Sequence, residues 1–201
     1  MKIAIALLLF AGAAAGEERF GTRGTVAPSG SIGVSYASTP LSFGGIDSYG
    51  FSFSPGVMFF VADDIAIGGA VPFSYESSGG GGASDRINVT RYGIAPAVGW
   101  NLSLGERVSL FPQLTLITSW EKTAFSGSSF SRTDRVITAQ AFVPVLLHVT
   151  SHFFIGLGPM ISRDVDSTRQ VLLLSSAGEA VVNDEVKTTT IGLQSVIGGW
   201  F

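Results

Sequence analysis

Between Tyr49 and Val61 the chain alternates without a charged residue: Tyr49-Gly-Phe51-Ser-Phe53-Ser-Pro55-Gly-Val57-Met-Phe59-Phe-Val61. A period of two sends successive side chains to opposite faces of a strand. The odd face here is large and apolar. The even face is mostly glycine and serine. A soluble sheet would bury its large face and cover the other with charges. A small, uncharged second face suits the inside of a narrow barrel, which leaves the large face to meet an apolar surround. The pattern recurs at once, with Ile65, Ile67, Gly69, Val71, Phe73 and Tyr75 set against Ala66, Gly68, Ala70, Pro72 and Ser74.

The same period marks eight strands, at Ser29–Ser38, Ser48–Val61, Ile65–Ser77, Ile87–Leu102, Val108–Phe125, Arg135–Val149, Phe153–Asp166 and Val186–Phe201. The segment Phe20–Ala27 either extends the first strand or forms a leader ahead of it. Pro55, Pro72, Pro96, Pro112, Pro144 and Pro159 fall inside these strands. Proline cannot donate to a ladder, so they are expected at bulges or near a rim. The connections alternate in length. Ala62-Asp63-Asp64, Ser103–Arg107 and Thr150–His152 are tight; 39–47, 78–86, 126–134 and 167–185 are long and polar. Short turns on one side and long loops on the other characterise outer-membrane barrels, and an even strand count returns both termini to the short-turn side. The expected fold is all-β: a closed antiparallel eight-stranded transmembrane β-barrel spanning 29–201.

The N-terminus reads as a signal peptide over 1–15. Lys2 supplies charge, Ile3–Phe10 the apolar core, and Ala13–Gly16 the small-residue cleavage site. Residues 16–28 are then a periplasmic leader or the start of the first strand. The chain has no cysteine, which removes a lipoprotein anchor and disulfides. Charges are few and nearly balanced, with 12 Lys and Arg against 15 Asp and Glu, so no basic patch for nucleic acid is present. No later stretch approaches the ~20 apolar residues of a membrane helix.

The last strand runs to the end of the sequence. Ile191, Leu193, Ser195, Ile197, Gly199 and Phe201 share one face; Gly192, Gln194, Val196, Gly198 and Trp200 share the other. Termini are ordinarily polar and frayed. A terminal strand ending on Phe needs a partner strand and an apolar surround. Gly192 and Gly198, facing inward, are expected to make room for bulk from other strands.

Phe59-Phe-Val-Ala-Asp-Asp-Ile-Ala-Ile-Gly68 and Pro96-Ala-Val-Gly-Trp-Asn-Leu-Ser-Leu-Gly-Glu-Arg-Val-Ser-Leu-Phe-Pro112 resemble hairpins of small bacterial outer-membrane β-barrel proteins, OmpW-like and OmpX-like among them. Ile197, Trp200 and Phe201 resemble the C-terminal signal that the barrel-assembly machinery reads during insertion. Gly199 and Ser195 depart from it, standing where that signal has hydrophobic residues. The resemblance implies outer-membrane lipids and that machinery as partners, and the cell outer membrane as location.

By parity Arg91, Gln113, Glu121, Gln140, Asp164 and Gln194 face the lumen. Charges there need partners, and Arg91 and Glu121, on adjacent strands, are placed to pair. These residues are either a hydrogen-bonded filling or a polar path for a solute. The filling is favoured, because eight strands leave an interior only wide enough for side chains. His148 and His152 are the conventional bases. Family analogy offers lipid A-modifying enzymes on barrels of this size, but those need a histidine near the outer leaflet, and both histidines here fall at the periplasmic end, as interfacial residues. No catalytic, metal or cofactor site is assigned. Asp63-Asp64 reads as a solvated turn pair. Tyr36, Tyr49, Tyr75, Tyr92, Trp100 and Trp120, near strand ends, form two aromatic belts. The apolar stretches Gln170–Ser175 and Ala180–Val182 suggest a hairpin, and the loop 167–185 either presents an edge to an external partner or packs against Phe125–Phe130. The expected role is structural, interactive or envelope-maintaining; the alternatives are a narrow conduit for small or apolar solutes and a lipid A-modifying enzyme.

Overall fold

Eight antiparallel strands close into a barrel. The computed structural model describes residues 19–39, 46–79, 86–125, 131–167, 171–175, 178–182 and 187–201. The expected signal segment 1–15, the glycine tip of the second long loop and most of Phe125–Phe130 lie outside them. The strands are β1 (Val26–Thr39), β2 (Ile46–Ala62), β3 (Ile65–Ala70 and Phe73–Gly79), β4 (Arg86–Trp100), β5 (Val108–Leu110 and Gln113–Phe125), β6 (Ser131–Phe142 and Val145–Thr150), β7 (Phe153–Ser167) and β8 (Thr189–Gly199). Val26 and Ala27 thus belong to the first strand, whereas Arg19–Thr25 form turns ahead of it. Beyond β7, Val171–Ser175 pairs with Gly178–Val182 as a separate two-stranded sheet.

Three of the expected strands are interrupted, each at an X-Pro step: Val71-Pro72, Phe111-Pro112 and Val143-Pro144. Proline lacks the N–H that the ladder needs, yet its carbonyl still accepts. Gly93 N donates to Pro72 O at 3.0 Å, Trp100 N to Pro112 O at 3.0 Å and Phe111 N to Pro144 O at 3.0 Å. Pro55 and Pro159 accept in the same way from Val71 N and Val143 N. These prolines lie within the wall, where each breaks one bond and keeps the next, and not at the rim. The register irregularities fall elsewhere, at Phe60/Ala62, His148/Thr150 and Asp164/Asp166.

Hydrogen-bonded partners define the tilt. Starting at Ala27, the register passes through Met58, Gly68, Ala97, Thr115, Gln140 and Ser162 to Thr190. β1 meets β8 at Ser29–Gly198, so Ala27 stands level with Trp200. The offset from Thr190 to Trp200 is about ten residues, which for eight strands corresponds to a tilt of roughly 40°. Among the described residues the seam is paired only at its short-turn end, through Ser29–Gly198, Gly30–Ile197 and reciprocal bonds between Val26 and Phe201. Above it, Val34 is 83% exposed and Leu193 74%.

Alternation sorts the side chains as the two faces dictate. Phe51, Phe53, Val57, Phe59, Ile67, Leu114, Leu147, Ile155 and Ile161 are exposed on the outer wall. Inside, the half nearest the short turns is a dry core of Phe20, Met58, Phe60, Ala66, Phe111, Leu146, Phe154 and Trp200. The outer half is lined by small and polar residues. Gly198 lets this core close, because a Cβ there would meet Phe154 Cζ at 2.6 Å. Gly192 has only Met160 Cε, at 4.0 Å, and admits no comparable bulk.

Candidate functional site: a plugged lumen

The leader Arg19–Thr25 folds back beneath the barrel and inserts Phe20 into its mouth at the short-turn end. Phe20 is 4% exposed. Its ring centroid lies 5.1 Å from Phe60, 5.2 Å from His148, 5.4 Å from Phe154, 5.4 Å from Trp200 and 5.5 Å from Phe111. These offset and edge-to-face approaches are the favoured aromatic geometries. The main chain is held as firmly. Asn101 Nδ2 donates to Phe20 O at 3.2 Å and to Asp64 Oδ1 at 2.9 Å. Asp64 N donates to Gly21 O at 2.7 Å, and Arg23 N to Asp63 Oδ1 at 3.0 Å. Gly24 N donates to Phe60 O, and Phe60 N to Thr25 O.

Local backbone chemistry explains the fit. Gly21 has φ 102°, and a Cβ there would strike Asn101 Nδ2 at 2.6 Å and Asp64 Oδ1 at 2.7 Å. Only glycine satisfies both conditions. Asp64 has φ 63°, a left-handed turn position that Asp tolerates. The Asp63-Asp64 pair is therefore a latch for the leader as well as a turn.

Above this plug the polar residues pair across strands. Arg91 Nε donates to Glu121 Oε2 at 2.7 Å, and Arg91 Nη1 lies 3.8 Å from Glu76 Oε2. Gln140 Nε2 donates to Gln194 Oε1 at 2.9 Å. Thr138 Oγ1 donates to Asp164 Oδ1 at 2.8 Å, and Thr188 N to Asp164 Oδ2 at 3.2 Å. Gln113 lines the central cavity beside Gln140 and Gln194. Five of the six lumen residues thus reach a bonded side-chain or backbone partner, as three separate groups and not one continuous file. Two small cavities, of about 110 and 170 Å³, lie among them.

Below the plug, the histidines pack on Trp200, at 5.0 Å for His148 and 6.0 Å for His152. His148 points into the barrel and is not an interfacial residue. Its Nε2 lies 2.9 Å from Ser109 Oγ, a pair that parity alone does not reveal across 39 residues. Among the described residues His148 Nδ1 has no hydrogen-bond partner, and none of their carboxylates orients the ring as a hydrolytic triad requires. A vestibule of about 1180 Å³ opens beneath, lined by Arg19, Glu106, Arg107 and His152 among others. Of the terminal residues, Ile197 faces outward, Trp200 lies in the plug, and Phe201 is half-buried, exchanging backbone bonds with Val26. Among the described residues, no group of His, Asp and Glu is arranged to hold a metal.

No protein family matches the chain, and no curated protein matches it. Several solved structures are similar, three of them as follows. One is Neisserial surface protein A, with 12% identity and a TM-score of 0.45, covering 88% of this chain and 94% of that one. Another is the N-terminal β-barrel domain of Pseudomonas aeruginosa OprF, with 14% identity and a TM-score of 0.42, covering 89% and 98%. The third is the translocator domain of the autotransporter NalP from Neisseria meningitidis, with 10% identity and a TM-score of 0.37, covering 88% and 87%.

Proposed function

We propose that this protein is an integral outer-membrane barrel whose lumen is closed, with a structural or envelope-contacting role. The observation that carries the reading is the insertion of Phe20 among five aromatic rings at the periplasmic mouth, in a barrel that turns a wall of exposed large apolar residues outward around that core. Two features support membrane residence. Tyr36, Tyr49, Tyr92 and Trp120 face outward near the long-loop end, and Trp100 faces outward near the turns. An interfacial belt at each end is what a bilayer selects. The OmpW-like and OmpX-like assignment, the assembly machinery as insertion partner and the outer hairpin as contact point for an external partner belong to the same proposal.

The conduit reading is disfavoured by small upper cavities above a packed plug. The enzyme reading gains Ser109–His148, but lacks an orienting acid at Nδ1 and lies at the end away from the long loops. The test joins fractionation to electrophysiology. Protein in the outer-membrane fraction that gives no steady conductance in planar bilayers agrees with the proposal. Steady single-channel steps from the wild type, or protein in the soluble periplasm, would overturn it.

A further inference from the structure

The outer wall carries one basic residue inside an apolar run. On β7 the outward positions read Ile155, Leu157, Pro159, Ile161, Arg163 and Val165. Arg163 is exposed, and its register partners are Ala139 on β6 and Thr189 on β8, neither of them an acid. Among the described residues it has no ion-pair partner, whereas Arg135 on the same side pairs with Asp166 at 3.3 Å. Arg163 stands ten positions beyond Phe153, where β7 begins. At about 3.3 Å per residue and a tilt of roughly 40°, that is about 25 Å above the periplasmic belt. It therefore stands one hydrocarbon thickness up, at the outer interface, where an arginine is tolerated far better than at mid-membrane.

Directly below it runs a groove of about 660 Å³. Sequence makes this groove. The outward positions of β6 here are Ala139 and Ala141, between Leu114 and Leu116 on β5 and Ile161 on β7. Short residues between large ones leave a shallow furrow two outward positions long on β6, which opens across β5 to Pro96 and Val98 on β4 and has Arg163 at its corner beside Ala139.

We propose that this furrow holds one acyl chain of a phosphorylated outer-leaflet lipid, with the lipid phosphate on the Arg163 guanidinium. The inference rests on the outer-membrane reading. The complementarity is twofold: an apolar furrow on the wall, and at its corner a cation without an ion-pair partner among the described residues, of the kind that grips phosphate bidentately. A charge-assisted phosphate contact of this kind is worth about tenfold in affinity.

The probe pair is phosphatidylglycerol and a galactosyl diacylglycerol with the same chains, which lacks phosphate. Retention of each by the folded full-length protein is measured by native mass spectrometry from a neutral detergent. Folding of every variant is scored first by heat-modifiable gel mobility. The wild type should retain one equivalent of phosphatidylglycerol about tenfold more tightly than the galactolipid. Arg163→Gln should abolish that preference, and Arg163→Lys should keep most of it. Ala139→Leu with Ala141→Leu, filling the furrow, should weaken both lipids. A wild type without headgroup preference, or an Arg163→Gln variant that retains it, overturns the site while leaving the membrane barrel intact. A wild type that inserts into no bilayer overturns the membrane reading, and this site with it.

Discussion

The ring of Phe20 packs edge-on against that of Trp200 at 5.4 Å, with an interplanar angle of 66°. The leader and the penultimate residue of the sequence thus meet inside the barrel. Strand closure and lumen closure share this contact. Trp200 arrives with β8, and Phe20 is held by hydrogen bonds to the turn after β2 and to Asn101. The plug is complete only once the last strand is seated.

Phe20→Ala should therefore destabilise the barrel by about 3 kcal/mol, the usual cost of emptying a large aromatic site in a core. Unfolding of the refolded protein by urea in micelles, followed by tryptophan fluorescence, measures it. An unchanged midpoint would show that the leader only rests against the mouth.

Arg91 and Glu121 invite a double-mutant cycle. Glu121 is largely buried while the Arg91 side chain is 40% exposed, so solvent screens part of the attraction. Arg91→Ala should cost about 1–3 kcal/mol, because it leaves a buried carboxylate without its nearest cation. Arg91→Ala with Glu121→Gln should cost less than the sum of the single changes, and a coupling energy near zero would count against the pair as a structural element.

The alternation that reveals the fold also shows why part of the site escapes sequence reading. β2 is legible because Tyr49–Val61 carries a large face and a small face over its whole length. Inward parity puts Arg91, Glu121, Gln140 and Gln194 on one surface, which is enough to expect partners. It does not give height around a sheared barrel, so the Ser109–His148 contact stays hidden until the register is known. Phe20 escapes for another reason. Arg19–Thr25 has no period, and its five ring partners come from β2, β5, β6, β7 and the terminus after β8. Asn101 likewise reads as a turn residue until Asp64 and Phe20 are seen beside it. Arg163 was within reach: it shares the odd parity of Ile161 and Val165, and an arginine in that phase is a signal.

The seam predicts a pattern of hydrogen exchange. β1 is paired with β2 throughout, but with β8 only as far as Gly30–Ile197. Alternate amides from Ile32 to Tyr36, those directed toward β8, should exchange faster than amides at Phe51–Phe53, which have neighbours on both sides. Uniform protection along β1 would mean that the outer half of the seam pairs in the membrane.

The two terminal aromatics should separate assembly from stability. Phe201 N donates to Val26 O at 3.0 Å, and Val26 N to Phe201 O at 2.9 Å, the outermost bonds of the seam at its short-turn end. Closure in lipid is obligatory, because each unpaired backbone group there costs several kcal/mol. By strand parity Phe201 shares the outward side with exposed Ile197, the side that the proposed insertion machinery would grip; the Trp200 side chain points into the plug. Phe201→Asp should therefore reduce the amount of folded, heat-modifiable protein in the outer membrane, while the fraction refolded in detergent unfolds close to the wild-type midpoint. Trp200→Ala should insert more fully than Phe201→Asp but unfold about 3 kcal/mol more easily. Wild-type outer-membrane levels of Phe201→Asp would remove the terminal residue from the delivery step and leave seam hydrogen bonding as its whole role.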